Sequence, residues 1–380
     1  MDKHCDPKKR HDFVYLFEVI NGNPNGDPDA GNMPRVDPQT FNGIVTDVCI
    51  KRKIRNYVSL VHQVPVYIQS EMALNTLARD VLRKKNVMAV EADVTEYIRD
   101  EELLSWMQDN VSDYVEVVSK EENGKTNYTA YFVGDISILT GRNGINNVIA
   151  DVKEQTEIPD WIQPNLSKIL EKLQSATKGQ KLTAEVRSKI KTTMASEFYD
   201  IRMFGAVLTM GTNAGQVLGP VQITFARSVS PVFPMNLTIT RTAITRESDR
   251  LRKQTEMGQK PIIPYGLYVA HGFYNPKLAE KLNPGSELLV KEDDLKLLWE
   301  ALCNMFEYDR SASRGEMACR GLYIFTHEDE KGYGKAPAHK LFELVKITER
   351  DPGRPQRSFD DYTVMLEDKM PPGITLTRLP

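Results

Sequence analysis

Residues 13–58 read FVYLFEVINGNPNGDPDAGNMPRVDPQTFNGIVTDVCIKRKIRNYV, and they divide into three parts. Residues 13–20 are filled with aromatic and β-branched side chains and stopped by turn formers, which reads as a strand. Both of its faces are mostly apolar, so it is expected at the centre of a sheet. The loop from Asn21 to about Gly43 is dense in Gly, Asn, Asp and Pro, and long enough to suggest binding. A helix is expected from Thr46 or Asp47, either of which can cap it. Its apolar positions Ile50, Ile54, Tyr57 and Val61 share one face, and Lys51, Arg52 and Arg55 lie on the flank beside it. A strand, a loop rich in backbone donors and a cationic helix suggest a grip on phosphates.

Composition sets the outer limits. At 380 residues with 41% hydrophobic content, the chain can bury more than one core. No apolar run approaches the roughly 20 residues of a membrane span, and MDKHCDPKKRHD lacks a signal-peptide core, so a cytoplasmic protein without a membrane partner is expected. Cys5, Cys49, Cys303 and Cys319 form no CxxC pair, which points to neither a zinc site nor a disulfide framework. The net charge of -3 hides an asymmetry: Glu91–Glu122 alone carries -9, so the remainder carries +6. The bases concentrate in Thr46–Val58, Asn165–Ala195 and Arg241–Lys260, a footprint suited to a polyanion, although solvated helix faces give the same pattern.

Residues Pro65–Ser196 change in character and read as an insertion. Helices are expected at Met72–Lys84, Val94–Asn110 and Leu166–Leu173, with a strand pair Tyr114–Val118 and Tyr128–Val133. Strand signals then return in FGAVLTM, VQITFARSV, NLTITRTAI and IIPYGLYVAHGFY. A helix at Asp293–Tyr308, capped by Asp293 or Asp294, and a strand at Gly321–His327 follow. With the insertion removed, the order is βαββαβ, an α+β ferredoxin-like, RRM-like layout.

Sharper readings of the 21–35 loop fail on spacing. A calcium loop would place Asn32 where a bidentate Glu belongs, and Gly22, Gly26 and Gly31 do not make GxGxxG. A structural loop of left-handed turns and a phosphate- or sugar-binding nest of N–H groups both remain open. The six histidines form no HExxH, and GxSxG is absent. Asp27, Asp29, Asp37 and Asp47 cluster in sequence, so a divalent-metal ribonuclease is conceivable, but turns and helix capping account for them more simply. The segment 245–261, TRESDRLRKQTEMGQKP, reads as a cationic finger bearing the apolar Met257, a pairing that can wedge between bases.

The 13–58 run closely resembles the N-terminal signature of the backbone subunit of type I-C CRISPR Cascade complexes, the CRISPR-associated family numbered seven in the RAMP superfamily. DIRMFGAV…GPVQ, MGQKPIIPYGLYVAHGFY, DLKLLWEALCNMFEYDRSASRGEM and SFDDYTV also resemble that family, whereas residues 70–195 match it less clearly. The resemblance implies a palm (11–64, 197–240 and, with a C-terminal segment, 264–380), a mainly helical finger insertion (65–196) and a thumb β-hairpin (241–263). It implies a noncatalytic protein, without cofactor or metal, that polymerises head to tail along crRNA, presents the guide to target DNA and meets other Cascade subunits. Its RNA-contacting positions map onto Asn23, Asn25 and Arg35 in the loop, Lys51, Arg52 and Arg55 in the helix, and Arg202, Phe204 and Gly205 in the glycine-rich segment. Arg246, Arg250, Met257 and Lys260 fall in the thumb, with Met257 the expected wedge. Two other readings are carried with it: a metal-dependent ribonuclease using loop aspartates, and a generic RNA-binding module outside CRISPR.

Overall fold

The computed structural model describes the chain except Met1, Glu71, Asn86, Met88, Ala89, Arg99, Asn123, Asp135, Arg142, residues 178–182, 209–213 and 242–255, Glu330 and Asp368. It divides into two units, one of Met1–Val64 with Pro220–Pro380 and one of Pro65–Gly219.

The first unit is built on β1 (His11–Gly22), α1 (Asp47–His62), β2 (Ala226–Pro231), β3 (Glu256–Tyr274), α2 (Glu292–Tyr308) and β4 (Glu316–His327). Across the sheet the order is β4-β1-β3-β2, antiparallel at each pairing. Two interleaved β-α-β crossovers produce this order. Ile374–Leu379 extends the sheet beyond β4, and Asn42–Val45 extends it beyond β2.

β1 is central, as its sequence requires. Alternate residues point to opposite faces. On one face Phe13 lies edge-on to Trp299 of α2 at 5.2 Å, Phe17 packs on Phe306 at 5.4 Å, and the Tyr15 hydroxyl donates to the Leu302 carbonyl at 2.7 Å. On the other face Val14 and Leu16 pack with Phe325, Leu341 and Leu344. Each such side chain contributes about 1.5–3 kcal/mol when fully buried, and both faces of this strand are covered.

The second face is covered by the C-terminal segment, through the helix Ala338–Phe342 and the hairpin Val345–Glu349/Tyr362–Leu366. In RNA-recognition domains the open sheet face stacks bases. Here that face is occupied by protein, so any RNA contact of this unit falls on loops, helices or the hairpin.

α1 starts where its sequence indicates: the Thr46 hydroxyl accepts from the Cys49 N–H at 3.3 Å. α2 starts slightly earlier than expected. Lys291 is the N-cap residue, and Asp294 reaches back to accept its N–H at 2.8 Å. The first residues of β3 leave the main sheet and pair with Met235–Arg241, in a register running from Met235↔Ile262 to Arg241↔Glu256. The hairpin stem therefore begins at Met235, before the expected 241–263, and residues 242–255 lie outside the described residues.

The second unit is mainly helical, with helices at Leu74–Lys84, Glu101–Asn110, Gly144–Gln155, Gln163–Ala176 and Ala184–Glu197 around a sheet of Glu91–Asp93, Lys125–Phe132 and Val115–Glu122. Leu103, Met107, Leu139, Ile162, Leu166 and Leu170 form its core. Of the expected helix Val94–Asn110, only Glu101–Asn110 is helical: a turn at 95–97 precedes it, and Asp100 caps it, its carboxylate accepting from the Leu103 N–H at 2.9 Å. The Gly/Asn-rich patch at 141–147 leads into the helix Gly144–Gln155. Residues 197–219, expected in the palm, cluster with this unit, where Gly205–Leu208 pairs with Gly215–Leu218. Among the described residues, no helix is long and apolar enough to cross a membrane.

Candidate nucleic-acid interface

In the first unit, two loops meet beside the start of α1. One follows β1; the other, 309–315, joins α2 to β4. They approach closely because glycine stands at the contact. A Cβ on Gly22 would lie 1.9 Å from the Arg314 carbonyl oxygen, and Gly315 takes φ +61° with the Ile20 and Asn21 carbonyls against it. The Asn23 N–H donates to the Ser313 carbonyl at 2.8 Å, closing the junction.

The junction leaves a cleft of about 210 Å³ lined by Asn23, Asn25, Gly26, Asn32, Cys49, Lys53, Ser313 and Arg314. Asn25 ties loop to helix, its Oδ1 accepting from both the N–H and the hydroxyl of Thr46 at 2.9 Å. Asn23 is buried and donates through Nδ2 to the Asn32 carbonyl at 2.7 Å. That bond assigns its amide orientation and leaves Oδ1 without a partner among the described residues. Lys53 and Arg314, the latter at 2.8 Å, both contact the Asp309 carboxylate. Two cations on one carboxylate leave a net positive charge at the cleft. The Cys49 thiol, whose pKa burial raises, donates to the Pro24 carbonyl at 3.4 Å.

Of the residues anticipated from sequence, Asn23 and Asn25 line this cleft, and Arg35 stands next to it. The Arg35 N–H donates to the Asn25 carbonyl at 3.3 Å, and its guanidinium pairs with Asp27 at 3.3 Å. The helix cations are more enclosed than a solvent-facing flank suggests. Arg55 is buried, Lys51 pairs with Asp47 at 2.9 Å, and Arg52 is half-buried. Lys53, which its sequence position does not single out, is the helix cation that lines the cleft.

Arg202, Phe204 and Gly205 belong to the second unit. Arg202 donates to the carbonyls of Ala195 and Ser196 at 2.9 and 3.2 Å, at the end of the helix Ala184–Glu197. Phe204 is buried edge-on to Tyr199, and Gly205 takes φ +79°, where a Cβ would lie 2.2 Å from the Val217 carbonyl oxygen. On the hairpin stem Met257 is 77% exposed, and Lys260 stands opposite Leu237. Arg246 and Arg250 lie outside the described residues.

The loop aspartates are largely engaged in turns and ion pairs. Asp27 accepts from the Asp29 N–H and pairs with Arg35. Asp37 accepts from the Gln39 and Thr40 N–H groups and from Arg227, bonds that hold its carboxyl below its usual pKa, the Gln39 contact most strongly. Among the described residues, no three His, Cys, Asp or Glu side chains converge as metal ligands.

Fold and cleft together define an α+β protein whose sheet is covered on both faces and whose polar, cation-bearing loop–helix junction suits a phosphate-bearing chain. The family model for CRISPR-associated protein Cas7 matches residues 9–143 and 131–367, and the chain belongs to that family. A 47-residue stretch is 43% identical to a CRISPR-associated protein Cas7 of Haloferax volcanii, covering 12% of this chain and 14% of that relative's length. Two solved structures show a looser likeness. A chain of one described as "CRISPR RNA-guided surveillance complex, pre-nicking" is 14% identical, over 86% of this chain and 84% of that one, with a TM-score of 0.43. A chain of a "CRISPR RNA-guided surveillance complex" is 13% identical, over 86% and 79%, with a TM-score of 0.35.

Proposed function

We propose that this protein is the crRNA-binding backbone subunit of a type I-C Cascade surveillance complex. Copies polymerise head to tail along the guide and present it for pairing with target DNA beside other Cascade subunits. Membership of the Cas7 family is the observation that carries this reading. The cleft supports it chemically, offering cations and amides to backbone phosphate and ribose rather than a surface for reading base edges. Sequence recognition then belongs to pairing between guide and target, which asks of the protein only charge and shape.

In this reading the protein is a noncatalytic scaffold, with Asp27 and Asp37 serving loop structure rather than phosphodiester cleavage. Nuclease footprinting of crRNA bound to the purified protein tests the proposal. Protection recurring at a fixed interval along the guide is expected. A single protected patch would indicate a generic RNA-binding module, and cleavage of added target RNA in Mg²⁺ that is lost in Asp27→Ala or Asp37→Ala would indicate a ribonuclease.

A further inference from the structure

The first unit holds a second, larger cavity of about 590 Å³ at the foot of the hairpin stem. Its walls are chiefly apolar and aromatic: Phe41, Phe233, Met235, Tyr265 and Tyr362, with the exposed Arg357 at its margin. Phe41 and Phe233 are 57% and 74% exposed, an unusual position for two phenyl rings beside one cavity.

Phe41 also sits at φ +59°, a left-handed conformation costly for a bulky side chain. The loop is built to hold it there. The Phe41 N–H donates to the Asp37 carbonyl, and its own carbonyl accepts from the Val232 N–H, both at 2.8 Å. Asp37 is in turn fixed by Gln39, Thr40 and Arg227. Strain maintained by several independent bonds, with the result that an aromatic ring faces solvent, points to a ligand for that ring.

We propose that this pocket receives an unpaired nucleobase of a bound single strand, stacked on the Phe41 and Phe233 rings, with Arg357 beside the adjoining phosphate. The proposal rests on the RNA-binding reading above and adds a base-binding subsite to it. Stacking suits any base, because every base has a π face. The Arg357 backbone N–H donates to the Asp361 carboxylate at 2.7 Å, while its guanidinium donates to the neutral Gln356 carbonyl at 3.2 Å and so keeps its charge for a phosphate. The pocket and the polar cleft share no lining residue but are joined along the chain. Arg35 and Phe41 lie in one short loop closed by the Ile44 N–H to the Arg35 carbonyl and the Asp37 N–H to the Asn42 carbonyl, each 2.8 Å. Six residues span at most about 20 Å, so a strand held beside Arg35 passes within a few nucleotides of the ring. This continuity favours nucleic acid over a protein segment as the occupant.

The test measures binding of single-stranded RNA carrying 2-aminopurine at successive positions to the full-length protein and to Phe41→Asn and Phe233→Ala. Asn tolerates the left-handed conformation better than Phe, so Phe41→Asn removes the ring without threatening the fold. For the intact protein, 2-aminopurine fluorescence is expected to be quenched at particular positions. Each variant is expected to lose that quenching and to weaken binding about 5- to 100-fold, and an abasic nucleotide at a quenched position is expected to erase the difference between variant and parent. If both variants bind intact RNA like the parent while Arg314→Ala binds weakly, the pocket proposal is overturned and the RNA-binding reading stands. If the parent binds no RNA, that reading falls first. If the variants instead lose self-association without RNA and keep their RNA affinity, the pocket docks protein and the proposal is wrong.

Discussion

Lys53 and Asp309 form an ion pair buried on both sides, joining the second turn of α1 to the loop after α2 across 256 positions of sequence. Arg314 shares the same carboxylate. A buried pair broken on one side leaves an uncompensated charge, which costs about 3–5 kcal/mol. The two halves are not equivalent here. Lys53→Met leaves Asp309 with Arg314, whereas Asp309→Asn leaves the buried Lys53 without its carboxylate. Urea unfolding is expected to show the larger loss for Asp309→Asn.

The cleft cations predict a salt signature. Arg314→Ala should weaken RNA binding regardless of sequence and lower the slope of log K against log salt by about 0.7, the value for one single-strand phosphate contact. Asp309 keeps Lys53 in that variant, so the melting temperature should move little. Titrations at four salt concentrations measure both effects, and an unchanged slope removes Arg314 from the phosphate contacts.

Gly22 and Gly315 predict a cost of close approach. Alanine at Gly22 would drive its methyl into the Arg314 carbonyl, and alanine at Gly315 would meet two carbonyls in a left-handed conformation. Each change should destabilise by more than about 1 kcal/mol and open the cleft, visible as faster amide exchange at Asn23.

Acid sensitivity follows from His11. Burial lowers its pKa from 6.5 to about 4, and its ring is held neutral, Nε2 donating to the Asp6 carbonyl and Nδ1 accepting from the Thr326 hydroxyl. The unfolded chain takes up the proton more readily. The contribution is therefore complete above pH 6.5 and lost as pH falls toward 4, by about 3 kcal/mol. Burial shifts His4 and His271 the same way. Melting curves should show stability falling across this window, with a shallower fall in His11→Gln.

Local signals were legible in the sequence where one element carries the whole cause. The aromatic run of β1 reads as a central strand because both its faces are buried, and Thr46 marks the start of α1 because its hydroxyl caps that helix. Asn23, Asn25 and Arg35 come close together because one loop holds all three. Lys53, Ser313 and Arg314 carry no sequence signal because their partners are far away in sequence, and no periodicity encodes a contact across 256 positions. The cover on the second sheet face was hidden for the same reason: Leu341 and Leu344 look like any apolar pair until Val14 and Leu16 lie beneath them. Val94–Asn110 is helical only from Glu101 because Asp93 binds the Thr95 N–H in a turn and Asp100 caps the helix through the Leu103 N–H.

In the proposed function, many copies of this chain coat one guide. Native mass spectrometry of the purified protein with crRNAs of increasing length tests it most directly. Bound copies are expected to rise stepwise by one for each fixed increment of RNA. One copy per RNA at every length, or no RNA-dependent assembly, would contradict it.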